Sequence, residues 1–184
     1  LCLDGTLGNY LQHIDEFYEM NAQSARKLSL STWNHLNNEY NIVGIRDIVN
    51  RILISTPDGG QYLQALSGGD AQTVVDISHK VMAAPYFDEL IESSGYKWIG
   101  PTPNPLMRTS NDLVIPILRG IPSPSSSKNI GWVYMDIPVS RIISKMETFY
   151  LEEDAALFIT FSPGYTYKFD GKNLIKTNME GQVI

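Results

Sequence analysis

Cysteine is almost missing from this chain: Cys2 is the single one among 184 residues. Neither an intrachain disulfide framework nor a multi-cysteine metal site can be built from it. Charge is scarce as well, at 18% of residues, with 14 Lys and Arg against 20 Asp and Glu for a net charge of −6. The cations never gather into a patch able to neutralise phosphates, which argues against nucleic acid as a partner. No apolar run approaches the roughly 18 to 20 residues that cross a bilayer, and no complete signal peptide is present. Proline is missing from residues 1–56, so nothing there forbids long helices.

What is present is an ordinary globular composition, 43% hydrophobic. A chain of this length can bury about 70% of its unfolded surface. Leu7, Leu11, Ile14, Tyr18, Ala25 and Leu28 recur at spacings of three and four, the signature of an amphipathic helical face. One long helix, or two in tandem, is predicted from near Leu7 to near Leu36, ending at the Asn37-Asn38 to Gly44 region. The period then changes. Ile52-Leu53-Ile54-Ser55, the turn Pro57-Asp58-Gly59-Gly60 and Gln61 to Leu66 read as a hairpin. A helical pattern through Val74, Val75, Ile77, Ser78 and Val81 stops at Pro85, and a shorter one spans Phe87 to Ile91.

Tyr96 to Gly100 and the alternating Pro101, Pro103 and Pro105 predict an extended, irregular stretch. Two strands follow, Leu113 to Arg119 and Trp132 to Ile137, joined by a Ser- and Pro-rich surface loop. Ile142, Ile143 and Met146 predict a helix that leaves the main sheet. From Leu157 a second strand series begins, punctuated by Ser162-Pro163-Gly164 and Asp170-Gly171-Lys172.

This order of elements, with Val114-Ile115-Pro116-Ile117-Leu118-Arg119 followed by a loop and Gly131-Trp132-Val133-Tyr134-Met135-Asp136-Ile137, resembles the double Cache sensor domains, in particular those of YesM-like bacterial sensor histidine kinases. The resemblance covers roughly residues 7–175. It implies an α+β fold: a long N-terminal helix over residues 1–41 packed on a PAS-like antiparallel sheet, the membrane-distal lobe, over 42–145. The start of a smaller membrane-proximal lobe would occupy 146–184. It further implies extracytoplasmic sensing of a small molecule by a two-component receptor. The transmembrane spans and the kinase would lie outside these residues, and the fragment itself would not be an enzyme. A chemoreceptor sensor, or a secreted carbohydrate- or peptide-binding module, are the alternatives. A homodimer through the N-terminal helix is compatible with this arrangement.

Amino-acid-sensing members of that family carry an arginine, a tryptophan followed by tyrosine, and a late aspartate. Trp98 and Asp136 match the tryptophan and aspartate, whereas Tyr96 and Ile99 replace the arginine and the tyrosine. A sugar-like, amine or amino-acid ligand is therefore expected, with a lean toward neutral polar or cationic molecules. Strand alternation places Trp132, Tyr134 and Asp136 on one face, the candidate pocket wall, and Val133, Met135 and Ile137 on the other, the core. The candidate ligand-binding residues are Trp98, Arg119, Trp132, Tyr134, Asp136, Tyr62 and Tyr86, with the segment around Trp98 capping the concavity and Arg119 at its edge. His13, His35 and His79 lack a second ligand one helical turn away, so no metal is expected, and no cofactor either. No nucleophile and base pair in a recognisable pattern. A phosphatase loop of the form Asp-x-Asp-Gly-Thr would need an aspartate where Cys2 stands.

Overall fold

Asn21 divides the N-terminal helical stretch. Its backbone N–H closes the last turn of helix α1 (Gly5–Met20) on Phe17 O at 2.9 Å, while its side-chain Oδ1 accepts the Gln23 N–H at 2.8 Å and opens α2 (Ala22–Ile42). Asparagine serves well as an N-cap because its oxygen satisfies a backbone donor that the first turn leaves free. The Tyr10 hydroxyl meets Ser29, which two collinear helices would hold far apart. The predicted spine is thus a pair of helices folded against each other, not a single rod. The computed structural model describes residues 5–42, 45–65, 77–92, 98–106, 113–123, 125–149, 156–162, 164–178 and 182–183.

After a short 3-10 turn (Ile45–Asp47) come β1 (Arg51–Ser55) and β2 (Tyr62–Ala65), the expected hairpin. Gly59 in its turn has φ 80°, a conformation open to glycine at no steric cost. Helices α3 (Ile77–Met82) and α4 (Phe87–Ile91) lead to the two-residue strand β3 (Thr102–Pro103). The long strands β4 (Leu113–Pro122) and β5 (Asn129–Pro138) precede α5 (Val139–Met146). Leu66, Val74, Val75, Tyr96 and Lys97 lie outside the described residues.

The main sheet is antiparallel with five strands in the order β2-β1-β5-β4-β3, so the last long strand lies at the centre. One face, carrying Ile52, Ile54, Ile115, Val133 and Ile137, packs on Leu7, Leu11 and Ile14 of α1. The Trp33 indole N–H donates to Gln64 O at 3.0 Å and ties α2 to β2. A second sheet of three antiparallel strands, β6 (Leu157–Thr160), β7 (Thr166–Phe169) and β8 (Leu174–Thr177), follows α5.

Gly100 joins the two sheets. It has φ +78°, and a Cβ there would fall 2.7 Å from Tyr167 Cε2 on β7. Gly100→Ala is expected to cost about 1–3 kcal/mol through backbone strain and displacement of that ring, read as a lower denaturant midpoint. Adding Tyr167→Ala should remove only the steric share.

Candidate functional site

The face of the main sheet that turns away from α1 carries Arg51, Leu53 and Ser55 from β1 and Trp132, Tyr134 and Asp136 from β5. It also carries Pro116, Leu118 and Gly120 from β4. The register pairs Arg51 with Asp136 and Asp136 with Pro116. Strand pleating puts directly opposed residues on one face, so charge, hydroxyl and indole N–H are gathered there by backbone pairing alone. Above them pack Val81 of α3, Phe87 and Leu90 of α4, Tyr86 and Ile99. The Phe87 and Trp132 rings meet edge-on, 5.5 Å between centroids at 84°.

Under this cover Trp132, Tyr134 and Asp136 are 1%, 0% and 0% exposed. Trp132 Nε1, Arg51 Nε, the Tyr86 and Tyr134 hydroxyls and both Asp136 carboxylate oxygens are buried without a hydrogen bond of good geometry, the two hydroxyls lying close to each other and Asn50 close to the carboxylate. Each buried polar group left unsatisfied costs about 1–3 kcal/mol, and more when charged. Native interiors hold few of them, and here they cluster on one sheet face. Burial pushes the Asp136 carboxyl above its ordinary range, opposed by the Arg51 guanidinium, the neighbouring Asn50 side chain and Arg141. Arg141 is itself held by the carbonyls of Arg46 and Val49, both 2.9 Å from Nη1. Burial likewise raises the Tyr86 hydroxyl to about 12, and it raises Tyr134 strongly, with Tyr86 and Asp136 nearby. Both phenols are neutral donors at physiological pH.

No protein-family profile and no curated protein matches the chain. Among solved structures, the ligand-binding domain of the Campylobacter jejuni chemoreceptor Tlp3 is similar, as solved in complex with 4-methylisoleucine and with L-norvaline. The identity is 12% over 79% of this chain, with TM-scores of 0.47 and 0.44, and the chain spans 60% of that domain's length. The strand order and the helices on one face form a PAS-like α+β arrangement.

Of the residues singled out from sequence, Trp132, Tyr134, Asp136 and Tyr86 come together on this face. Tyr62 pairs with Ser55 and therefore lies on the same face, at the edge strand and 36% exposed. Arg119 does not join them. It pairs with Val133, so it sits on the opposite face of the sheet and is exposed. Trp98 also parts from the cluster: it packs with the hydrophobic group that includes Phe161 and Leu174, and its backbone N–H donates to Ser162 Oγ at 2.9 Å. Its neighbour Ile99 is the residue that enters the cover. Arg51 stands opposite Asp136, and the alternation of Leu53 and Ser55 extended back by two residues leads to it. Among the described residues no cluster of His, Cys, Asp or Glu could hold a metal ion.

Proposed function

We propose that this chain is the extracytoplasmic ligand-sensing part of a bacterial membrane receptor and carries no catalytic step of its own. The ligand is a small polar molecule that presents a cationic or donor-rich group to Asp136. The observation that carries this reading is the gathering of buried polar groups, Tyr134, Tyr86, Trp132 and Arg51, around the buried Asp136. An acid flanked by neutral hydroxyls and an indole N–H suits an amine or a hydroxyl-bearing ligand, which can donate to the acid and accept from the hydroxyls and the indole. Arg51 on the same face offers a donor to an anionic end of the same molecule.

The cover over the site is built from short helices and the proline-bearing segment, while the opposite face of the same sheet holds α1. A ligand that favours one packing of the sheet over another shifts the helix pair by its differential affinity. We place the parent protein among sensor histidine kinases, with a chemoreceptor as the alternative. Membrane embedding and pairing of two copies through the N-terminal helices belong to the same proposal. The coding sequence after this segment separates the two outputs.

A thermal-shift screen over amines, amino acids, sugars and simple carboxylates tests the ligand class. Amines or sugars are expected to raise Tm by several degrees, about 2–4 °C per kcal/mol of binding free energy for a chain this size. A response to carboxylates with none to amines or sugars would overturn it.

A further inference from the structure

Beside the sheet-face cluster lies a concavity of about 880 Å³, within the size range of small-molecule sites. It runs between the α3–α4 connection, the segment through Thr102 and the second sheet. Its composition differs from that of the cluster. Lys80 comes from α3 and Lys176 from β8, while Tyr165, Tyr167 and Tyr86 supply ring surface, and Glu89 is the single acid in the lining. Two lysines against one acid give it a positive balance in a chain of net charge −6.

The walls are stiff for identifiable reasons. Pro101 and Pro103 flank Thr102 on the edge strand. Proline has no N–H and a fixed φ, so this edge recruits no further strand and keeps its shape. On the far side Tyr167 is buried against Gly100. The Lys176 ammonium lies 5.2 Å from the Tyr165 ring centroid. It is therefore held by an aromatic face, not neutralised by a carboxylate, and neither Lys176 nor Lys80 forms an ion pair among the described residues.

We propose that this cleft between the two sheets is a second binding site, for a small anion with a flat aromatic body. Its carboxylate or similar group would be met by Lys80 and Lys176, and its ring would lie against Tyr165 and Tyr167. Tyrosine faces supply ring-on-ring contact with a polar rim, and ammonium groups supply charge-assisted hydrogen bonds to the anion. The cleft meets the sheet-face cluster at Tyr86, but Asp136 is not in its lining.

Indole-3-acetate is the probe, with uncharged indole-3-ethanol as the control of matched shape, titrated calorimetrically at low ionic strength. The acetate is expected to bind with a dissociation constant of about 1 mM or tighter, at least tenfold more strongly than the alcohol, and more weakly as salt rises. The Lys80→Gln, Lys176→Gln double variant should lose about tenfold in affinity for the acetate and keep its own Tm. Asp136→Asn should leave that affinity unchanged. Equal binding of acetate and alcohol, no acetate binding, or a loss in Asp136→Asn with none in the lysine variant would each overturn the cleft site. Failure of the amine and sugar screen would instead overturn the sheet-face reading and leave this one standing.

Discussion

Gly131→Ala is expected to destabilise the domain by about 3 kcal/mol or more, enough to leave little folded protein at 37 °C. Gly131 begins the central part of β5, on the face turned to α1. A Cβ there would fall 2.5 Å from the carbonyl oxygen of Ser55 and 2.8 Å from Leu11 Cδ2. A flexible side chain could swing aside; the backbone of β1 cannot, because Ser55 is paired with both Trp132 and Tyr62. The methyl group therefore either breaks that pairing or lifts α1 from the sheet, and both routes open the larger hydrophobic cluster. Gly8→Ala is the matched control. It stands in α1 with nothing within 4 Å of its would-be Cβ, and alanine is the better helix former by up to about 1 kcal/mol. Chemical denaturation of both variants checks the contrast, and similar midpoints would contradict the close approach of Leu11 and Ser55 to Gly131.

Much of the fold could be read from residue order. The hairpin around Pro57 to Gly60 carries its own turn chemistry, and β4 and β5 alternate cleanly enough that period alone puts Trp132, Tyr134 and Asp136 on one face, though both faces are buried. Turn residues also marked the second sheet, whose strands are short and local. The helix pair was harder. An apolar face at helical spacing is the same for a straight rod and for two helices folded together. The one residue that decides, Asn21, is a common surface side chain whose capping role depends on its conformation.

The parts of the site that failed to follow from sequence are those set by register between strands. Arg119 is two positions from the end of an apolar run and looked like a rim residue, but its pairing with Val133 turns it to the other face. A one-residue offset reverses every side chain of a strand, and the bulge between Ile121 and Pro122 adds such an offset near the loop. Arg51 escaped notice for the converse reason. It precedes the β-run Ile52 to Ser55, and only the β1–β5 pairing sets it across from Asp136. Trp98 lies in an irregular segment, where no period tells which of two consecutive large residues points inward. Ile99 enters the cluster under α3 and α4, and Trp98 packs against the other hydrophobic cluster.

Asp136→Asn is expected to stabilise the ligand-free domain at neutral pH by about 1–3 kcal/mol while abolishing its response to an amine ligand. The asparagine keeps the shape and removes a carboxyl that burial makes costly to ionise. The pH dependence gives the sharper test. Burial holds the Asp136 carboxyl of the folded chain above its ordinary value of 3.8, so as pH falls the folded state takes up the proton before the unfolded state does. The stabilisation linked to that proton is fully present below about 3.8 and is lost as pH rises through the raised folded value. The variant has no such proton. Its advantage over the parent should therefore be near zero in acid and grow to its full size toward neutrality. Asp58 behaves in the opposite sense, its carboxyl lowered by the Thr56 hydroxyl and the Gly60 N–H, but it is present in both proteins and cancels in the difference. Binding follows the same group. In the parent, affinity for an amine should fall as pH drops through the raised Asp136 value, because the ligand must then compete with a proton. In the variant, binding should be weak at every pH. Urea denaturation of both proteins from acid to neutral pH, with and without the amine, measures all of this at once, and parallel stability curves with equal amine shifts would remove Asp136 from the site.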